Sequence, residues 1–115
     1  MLEFSRESKI FVYGEAIDMR RGFEHLTMLV RKEFEEGFLS HELFLFLGQN
    51  RRRLKVLTFD GTGLVLVTKR LEQGLFQSLE RLREKKILTA KEMELVFAGS
   101  HINFPLRLHK KRNIE

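Results

Sequence analysis

Apolar residues occur in four short runs that predict β-strands. The first, "KIFVY" at 9–13, is rich in β-branched and aromatic residues and ends at Gly14. Three more runs follow at 43–47, 54–59 and 64–68, and the joints between them, "GQNRRR" and "DGTG", contain residues that form tight turns. This spacing predicts that the last three strands form an antiparallel meander.

A helix is predicted between the first strand and the meander, with Asp18 as its N-cap and its end near Glu35. At about 100° per residue, the apolar positions of this segment fall on one narrow face and the charged positions fall opposite. Gly22 lies beside the apolar face. We therefore expect the helix to approach the sheet closely there, and Gly22→Leu to destabilise the protein by separating the two. The apolar positions are Met19, Phe23, Leu26, Val30 and Phe34.

A second helix is predicted within "TAKEMELVFAGS". Thr89 and Glu92 have the spacing of a capping box, and Gly99 provides a stop. Residues 75–88, which precede this helix, fit a strand, a helix or both, and the pattern leaves them open. Together the elements predict an α+β fold, a small antiparallel β-meander packed against two helices.

The predicted strands are apolar on both faces. In "LFLFL" the leucines point one way and the phenylalanines the other, so both faces of the sheet need cover. The first helix covers one face, and the short second helix leaves much of the other exposed. We therefore expect a homodimer or a tight complex with a partner protein that buries this face. The competing outcome is a monomer in which residues 75–88 fold over the sheet.

The length of 115 residues predicts one domain, over 1–105, followed by a basic tail at 106–115. The chain has no cysteine, which excludes disulfides and thiolate zinc sites. The N-terminal residues lack the apolar run of a signal peptide, and no segment is apolar over the length of a membrane span. We therefore expect a soluble, cytoplasmic protein.

Positive charge is concentrated in two segments. Residues 49–70 hold six basic residues and one acidic residue, a net charge of +5, and the tail at 106–115 holds four basic residues and one acidic residue. Clustering of this kind favours an anionic polymer as a partner. The alternative is a solvated basic surface that serves only solubility.

Patterns that would indicate catalysis or metal binding are weak. The segment "DGTG" at 60–63 is too short for a phosphate-binding Walker loop and leads into β-branched residues instead of a helix, so it predicts a hairpin turn. Asp18 and Asp60 have structural roles as helix cap and turn residue, and the four histidines lack the spacing of metal ligands. We expect no cofactor, no metal ion and no enzymatic activity.

Basic residues of the meander are the candidates for binding nucleic acid. They lie in and after the turn between its first two strands and at the end of its third. The planar guanidinium of an arginine can donate two hydrogen bonds to a phosphate. The structural alternative is a charged edge that prevents pairing with other strands. The candidates are Arg51, Arg52, Arg53, Lys55, Lys69 and Arg70.

Two stretches, "DMRRGFEHLTMLV" at 18–30 and "LFLFLGQNRRRLKVLTFDGTGLVLVTKRLEQGLF" at 43–76, resemble the TnpB accessory proteins of the insertion-sequence sixty-six family. "LTAKEMELVFAG" is similar to the family's closing helix, so the resemblance covers nearly the whole domain. It implies a non-catalytic factor of DNA transposition that acts beside a separate transposase. DNA and the transposase are then the expected partners. The alternative is a module that docks onto the transposase without direct DNA contact.

Overall fold

The computed structural model describes residues 4–34 and 42–99 of the chain. Within these ranges the fold consists of one five-stranded sheet and three helices, so the predicted α+β class is confirmed. The predicted basic tail at 106–115 lies outside the described residues. In chain order the elements are β1 (Lys9–Val12), α1 (Phe23–Glu33), β2 (Glu42–Leu47), β3 (Arg53–Phe59), β4 (Leu64–Arg70), α2 (Leu79–Lys85), β5 (Ile87–Leu88) and α3 (Ala90–Ala98).

The strand order across the sheet is β4-β3-β2-β1-β5. Strands β2, β3 and β4 form the predicted antiparallel meander. β1 pairs in parallel with β2, since the chain returns to the same end of the sheet after α1, and β5 pairs antiparallel with β1. The parallel pair and the fifth strand were not predicted from the sequence.

The turn between β3 and β4 is the predicted hairpin turn. The backbone N–H of Asp60 donates to the carbonyl of Gly63 at 3.0 Å, and the Asp60 carboxylate accepts hydrogen bonds from the backbone N–H groups of Thr62 and Gly63. These bonds to the carboxylate lower the pKa of Asp60 below its ordinary value. Gly61 has a φ of 103°, a conformation that glycine adopts without strain.

Helix α1 covers one face of the sheet. Phe44 and Phe46 of β2 point toward it, and Leu26 and Val30 are fully buried against them. The ring of Phe11 stacks on that of Phe44, with centroids 5.4 Å apart. The prediction that the two phenylalanines of β2 share one face is therefore confirmed.

The opposite face is covered by the chain from residue 76 onward. Leu43, Leu45 and Leu47 point to this side. The folding of residues 75–88 over the sheet is therefore confirmed, and the prediction that one face is left uncovered is wrong. The monomer of the competing outcome stays a prediction. A homodimer stays a prediction, but it is no longer supported by an uncovered apolar face. The covering side chains, all fully buried, are Phe76, Leu82, Leu88, Met93 and Val96.

Helix α1 begins four residues later than predicted. Its N-cap is Gly22, and the carboxylate of Asp18, the predicted N-cap, instead accepts hydrogen bonds from the backbone and guanidinium of Arg20. The segment before α1 is held by a parallel bridge between Ile17 and Gly48, which keeps it out of the helix. A side chain at Gly22 would meet nothing within 4 Å, so the prediction that Gly22 contacts the sheet is wrong.

The C-terminal helix agrees with its sequence signals. The hydroxyl of Thr89 accepts from the backbone N–H of Glu92, and the Glu92 carboxylate accepts from the backbone N–H of Thr89, which forms the predicted capping box. Gly99 is the C-cap, as predicted. α2 is an additional helix, and the hydroxyl of Ser78 caps its N-terminus.

Candidate nucleic-acid interface

The six basic residues predicted to bind nucleic acid fall into two groups in the structure. Three are engaged with the protein's own backbone, and three project into solvent. Arg51 belongs to the first group: its Nε donates to the carbonyl of Phe76 at 2.9 Å, and its carbonyl accepts from the backbone N–H of Phe76 at 2.7 Å. Its φ of 63° places it in the left-handed region within the turn. Arg51 therefore anchors the chain before α2 to the β2–β3 turn.

Lys55 is buried, with only 8% of its surface exposed. It lies on the α1 face of the sheet, and its Nζ donates a hydrogen bond to the carbonyl of Arg21, just before α1 begins. The lysine stem packs among apolar residues while the ammonium holds the start of the helix against the sheet. Lys55 is not available to a phosphate on the surface.

Lys69 is directed to the opposite face. Its Nζ donates to the carbonyl of Phe97 at 2.6 Å and lies 4.5 Å from the centroid of the Phe97 ring. Phe97 belongs to the last turn of α3, where carbonyls lack intrahelical partners and a positive charge is favourable. The last turn of α3 contains no basic residue, so Lys69 of β4 provides the positive charge at this end of the helix.

The exposed group consists of Arg52, Arg53 and Arg70. Arg53 and Arg70 are directly opposite each other in the β3–β4 ladder, so their side chains project from the same face. The guanidinium of Arg70 forms an exposed ion pair with Glu72 at 3.1 Å. Two like charges directly opposite in a ladder destabilise a sheet slightly, and an anion bound between them would remove that repulsion.

A groove at this end of the sheet, with a volume of about 490 Å³, brings further polar residues to Arg53. Arg20 reaches it from the segment before α1, and Gln49 and Asn50 reach it from the β2–β3 turn. By sequence Arg20 is one of the charged positions opposite the apolar face of the predicted helix, and the bridge of Ile17 to Gly48 that brings it here has no sequence signal. We call Arg20, Arg52, Arg53 and Arg70 the arginine cluster.

The guanidinium of Arg20 is fixed by Asp18. Nε and Nη2 of Arg20 donate to the two carboxylate oxygens at 3.0 and 2.8 Å. These hydrogen bonds from Arg20 hold the pKa of Asp18 well below its ordinary range, so the carboxylate stays charged and the pair stays formed at neutral pH. The side chain of Arg20 is nevertheless 89% exposed and retains free N–H donors for a second anion.

Within residues 4–34 and 42–99, no three His, Asp or Glu side chains come together as a group that could hold a metal ion. Over the same ranges, no helix has the length and apolar character needed to cross a membrane.

Comparisons with known proteins agree with the sequence resemblance. The family model described as "IS66 Orf2 like protein" matches residues 8–106. Two proteins of Sinorhizobium fredii, named "Uncharacterized protein y4hO" and "Uncharacterized protein y4jC", are 36% and 34% identical over 76 residues. Each alignment covers 66% of this chain but only 66% and 65% of the relatives' own lengths, slightly under two thirds. No solved structure matches the chain. The family match extends from before β1 to beyond α3, and the chain belongs to the IS66 Orf2-like family, the TnpB accessory proteins of these insertion sequences.

Proposed function

We propose that this protein is a non-catalytic accessory factor of transposition that binds duplex DNA through the arginine cluster. The observation that carries the proposal is the pair Arg53 and Arg70, two exposed guanidinium groups directly opposite each other on one face of the sheet. Neighbouring phosphates of a DNA backbone are anions of suitable geometry for such a pair. Family membership supports a role in transposition and leaves the biochemical step to be tested.

Binding of this kind is sequence-independent and strongly dependent on salt. Each phosphate neutralised by an arginine releases condensed counterions, so the logarithm of affinity falls with the logarithm of salt concentration by about 0.9 per contact. Four arginines that each contact one phosphate would give a slope between about −3 and −4. Arg51, Lys55 and Lys69, which hold the fold together, contribute little to this slope.

The test is fluorescence anisotropy with a labelled duplex over a series of salt concentrations. Replacement of Arg52, Arg53 and Arg70 by Gln should reduce the magnitude of the slope by about 2 to 3 and leave the melting temperature nearly unchanged. A matched control replaces three exposed basic residues elsewhere by Gln and removes the same net charge. The control residues are Arg6, Arg81 and Lys91. If both variants lose the same affinity, overall charge and not the arginine cluster is responsible.

Docking onto the transposase without DNA contact is the second candidate function. The observation in its favour is that only three of the six predicted basic residues are exposed, and one of these, Arg70, is paired with Glu72, a smaller basic surface than the sequence suggested. Separate pull-down of the element's transposase and of its terminal DNA distinguishes the two functions. Capture of the transposase together with no retention of DNA at low salt would favour this candidate over the first.

A further inference from the structure

β4 is an edge strand of seven residues, Leu64–Arg70. Among the described residues, no strand pairs with its outer side. Along the β3–β4 ladder, hydrogen-bonded pairs of residues alternate with pairs that are not hydrogen-bonded. Two bonds fix which pairs are which: the N–H of Asp60 donates to the carbonyl of Gly63, and the N–H of Leu71 donates to the carbonyl of Arg52. By that alternation, the backbone donors and acceptors that point away from β3 belong to Leu64, Leu66, Thr68 and Arg70.

An apolar patch lies beside this edge. Of the four large hydrophobic side chains that are exposed within the described ranges, three are Phe23 (45%), Met28 (51%) and Phe59 (36%). Phe23 and Met28 line one groove with Leu64, and Leu64 is the ladder partner of Phe59. The charged residues Glu24, Arg31 and Lys32 line the same groove. The hydroxyl oxygen of Thr27, which lines the same groove, is buried without a hydrogen-bond partner. An open strand edge next to a contiguous apolar patch is typical of a surface that binds another chain.

We propose that β4 pairs antiparallel with β4 of a second copy of this chain, around a two-fold axis at Val67. The two five-stranded sheets then merge into one. Leu66 pairs with the partner's Thr68, and these are positions whose backbone groups point outward in both copies. Every residue of β4 takes part in this register, whereas a shifted register uses only a portion of the strand.

The charges of β4 favour a second copy in the antiparallel direction. A parallel arrangement would place Lys69 and Arg70 beside their own counterparts, which is repulsive. In the antiparallel register Leu64 is opposite the partner's Arg70. That arginine then lies over the patch formed by Phe23, Met28 and Phe59, and guanidinium groups bind well over aromatic faces. The other edge of the sheet, β5, has only two residues and offers no comparable ladder.

The dimer places Arg53 and Arg70 of both copies on one side of the merged sheet, because paired residues of an antiparallel ladder point to the same face. Arg53 and its counterpart are then separated along the strands by about 20 Å, six residues at about 3.4 Å each. One duplex could contact both. This consequence rests on the proposed DNA binding, whereas the dimer itself does not.

The proposal is tested by sedimentation velocity on the full chain over a wide range of concentrations. Two variants act on different parts of the interface. Thr68→Pro removes an outward N–H without breaking a bond to β3, and Met28→Glu places a charge in the apolar patch. Each should raise the dissociation constant of the dimer at least about tenfold, while circular dichroism shows a retained fold. Ile87→Glu is the matched control, because Ile87 is a large apolar residue, 44% exposed, on the opposite edge.

Hydrogen exchange supplies the second readout. The amides of Leu66, Thr68 and Arg70 should gain protection as concentration rises and lose it in the Met28→Glu variant. A chain that is monomeric at every concentration overturns the proposal, and so does a dimer weakened equally by Ile87→Glu. Strong protection of the three amides in a monomer also overturns it, because another segment or protein would then occupy the edge.

Discussion

Lys69 offers a direct test of the division between structural and exposed cations. The change is Lys69→Met, which keeps the length of the side chain and removes the ammonium. In the structure this ammonium donates to the carbonyl of Phe97 at 2.6 Å and lies over the Phe97 ring. We expect a less stable protein whose DNA affinity and salt slope are nearly unchanged.

The magnitude follows from the contacts that are lost. A hydrogen bond to a charged group contributes about 1.5–3 kcal/mol, and a cation–π contact contributes about 0.5–1 kcal/mol. The two terms share one ammonium on a half-buried side chain and are not additive. The free energy of unfolding should therefore fall by about 2 kcal/mol. For a domain of this size that loss corresponds to a decrease in melting temperature of about 8 °C.

Urea denaturation and thermal melting measure the change, and anisotropy with a labelled duplex measures binding at a temperature where the variant is folded. Lys91→Met is the matched control, since Lys91 is an exposed lysine in the first turn of the same helix. It should change the free energy of unfolding by less than about 0.5 kcal/mol. Equal stability of the two variants would refute the assignment of a structural role to Lys69. So would a loss of DNA affinity in Lys69→Met as large as that of the arginine triple variant.

Three further predictions concern the segment before α1 and the face of the sheet that α2 covers. Gly22→Ser should raise the free energy of unfolding by a few tenths of a kcal/mol, because Gly22 is an exposed N-cap without a capping side chain; a loss above about 1 kcal/mol in urea denaturation would contradict this. Arg20→Gln should raise the pKa of Asp18 toward its ordinary value of 3.8, measured by carboxyl-carbon NMR titration. Because the pKa of Asp18 is lowered by folding, the ionised carboxylate stabilises the fold above pH 3.8, and this contribution is lost as pH falls through the lower folded value. An identical titration of Asp18 in the parent and in Arg20→Gln would contradict the role of Arg20. Leu82→Ala should cost about 2–5 kcal/mol and increase binding of a hydrophobic dye, because Leu82 is fully buried over the second face; a loss below about 1 kcal/mol would show that α2 is loosely attached.

The elements that the sequence predicts correctly are those specified by neighbouring residues. The meander follows from apolar runs separated by turn residues, and the hairpin turn follows from Asp60 and the glycines near it. The capping box of α3 requires only Thr89 and Glu92, three residues apart. In each case the interaction that fixes the structure lies within a few residues, so the sequence contains all of the information.

The start of α1 was mispredicted because Asp18 has two local uses. An aspartate before an apolar periodic segment is a good N-cap, but its carboxylate can also bind the backbone and guanidinium of a residue two positions later. Arg20 provides that second use, and the bridge of Ile17 to Gly48 favours it. The bridge joins residues that are 31 positions apart in the chain, so no local pattern reports it.

The cover of the second face of the sheet also depends on contacts that no local pattern reports. Residues 75–88 contain a short helix and a two-residue strand, and neither is long enough to give a clear period. What determines their conformation is burial: Phe76, Leu82 and Leu88 become fully buried only when the chain lies across the sheet. Tertiary packing therefore selects a structure that local propensity leaves undecided.

The site could be located from the sequence only to within a hairpin, because charge counting does not distinguish a cation in solvent from one that caps a carbonyl. Alternation along β4 sends Lys69 to the α3 face and Arg70 to the α1 face. On β3, Lys55 and Arg53 share a face, but Lys55 is buried under the start of α1 while Arg53 is at the exposed end of the strand. The hairpin that presents the arginines thus also holds two helices in place. For this reason a loss of DNA binding after substitution in the hairpin identifies a contact residue only when the stability of the variant is measured as well.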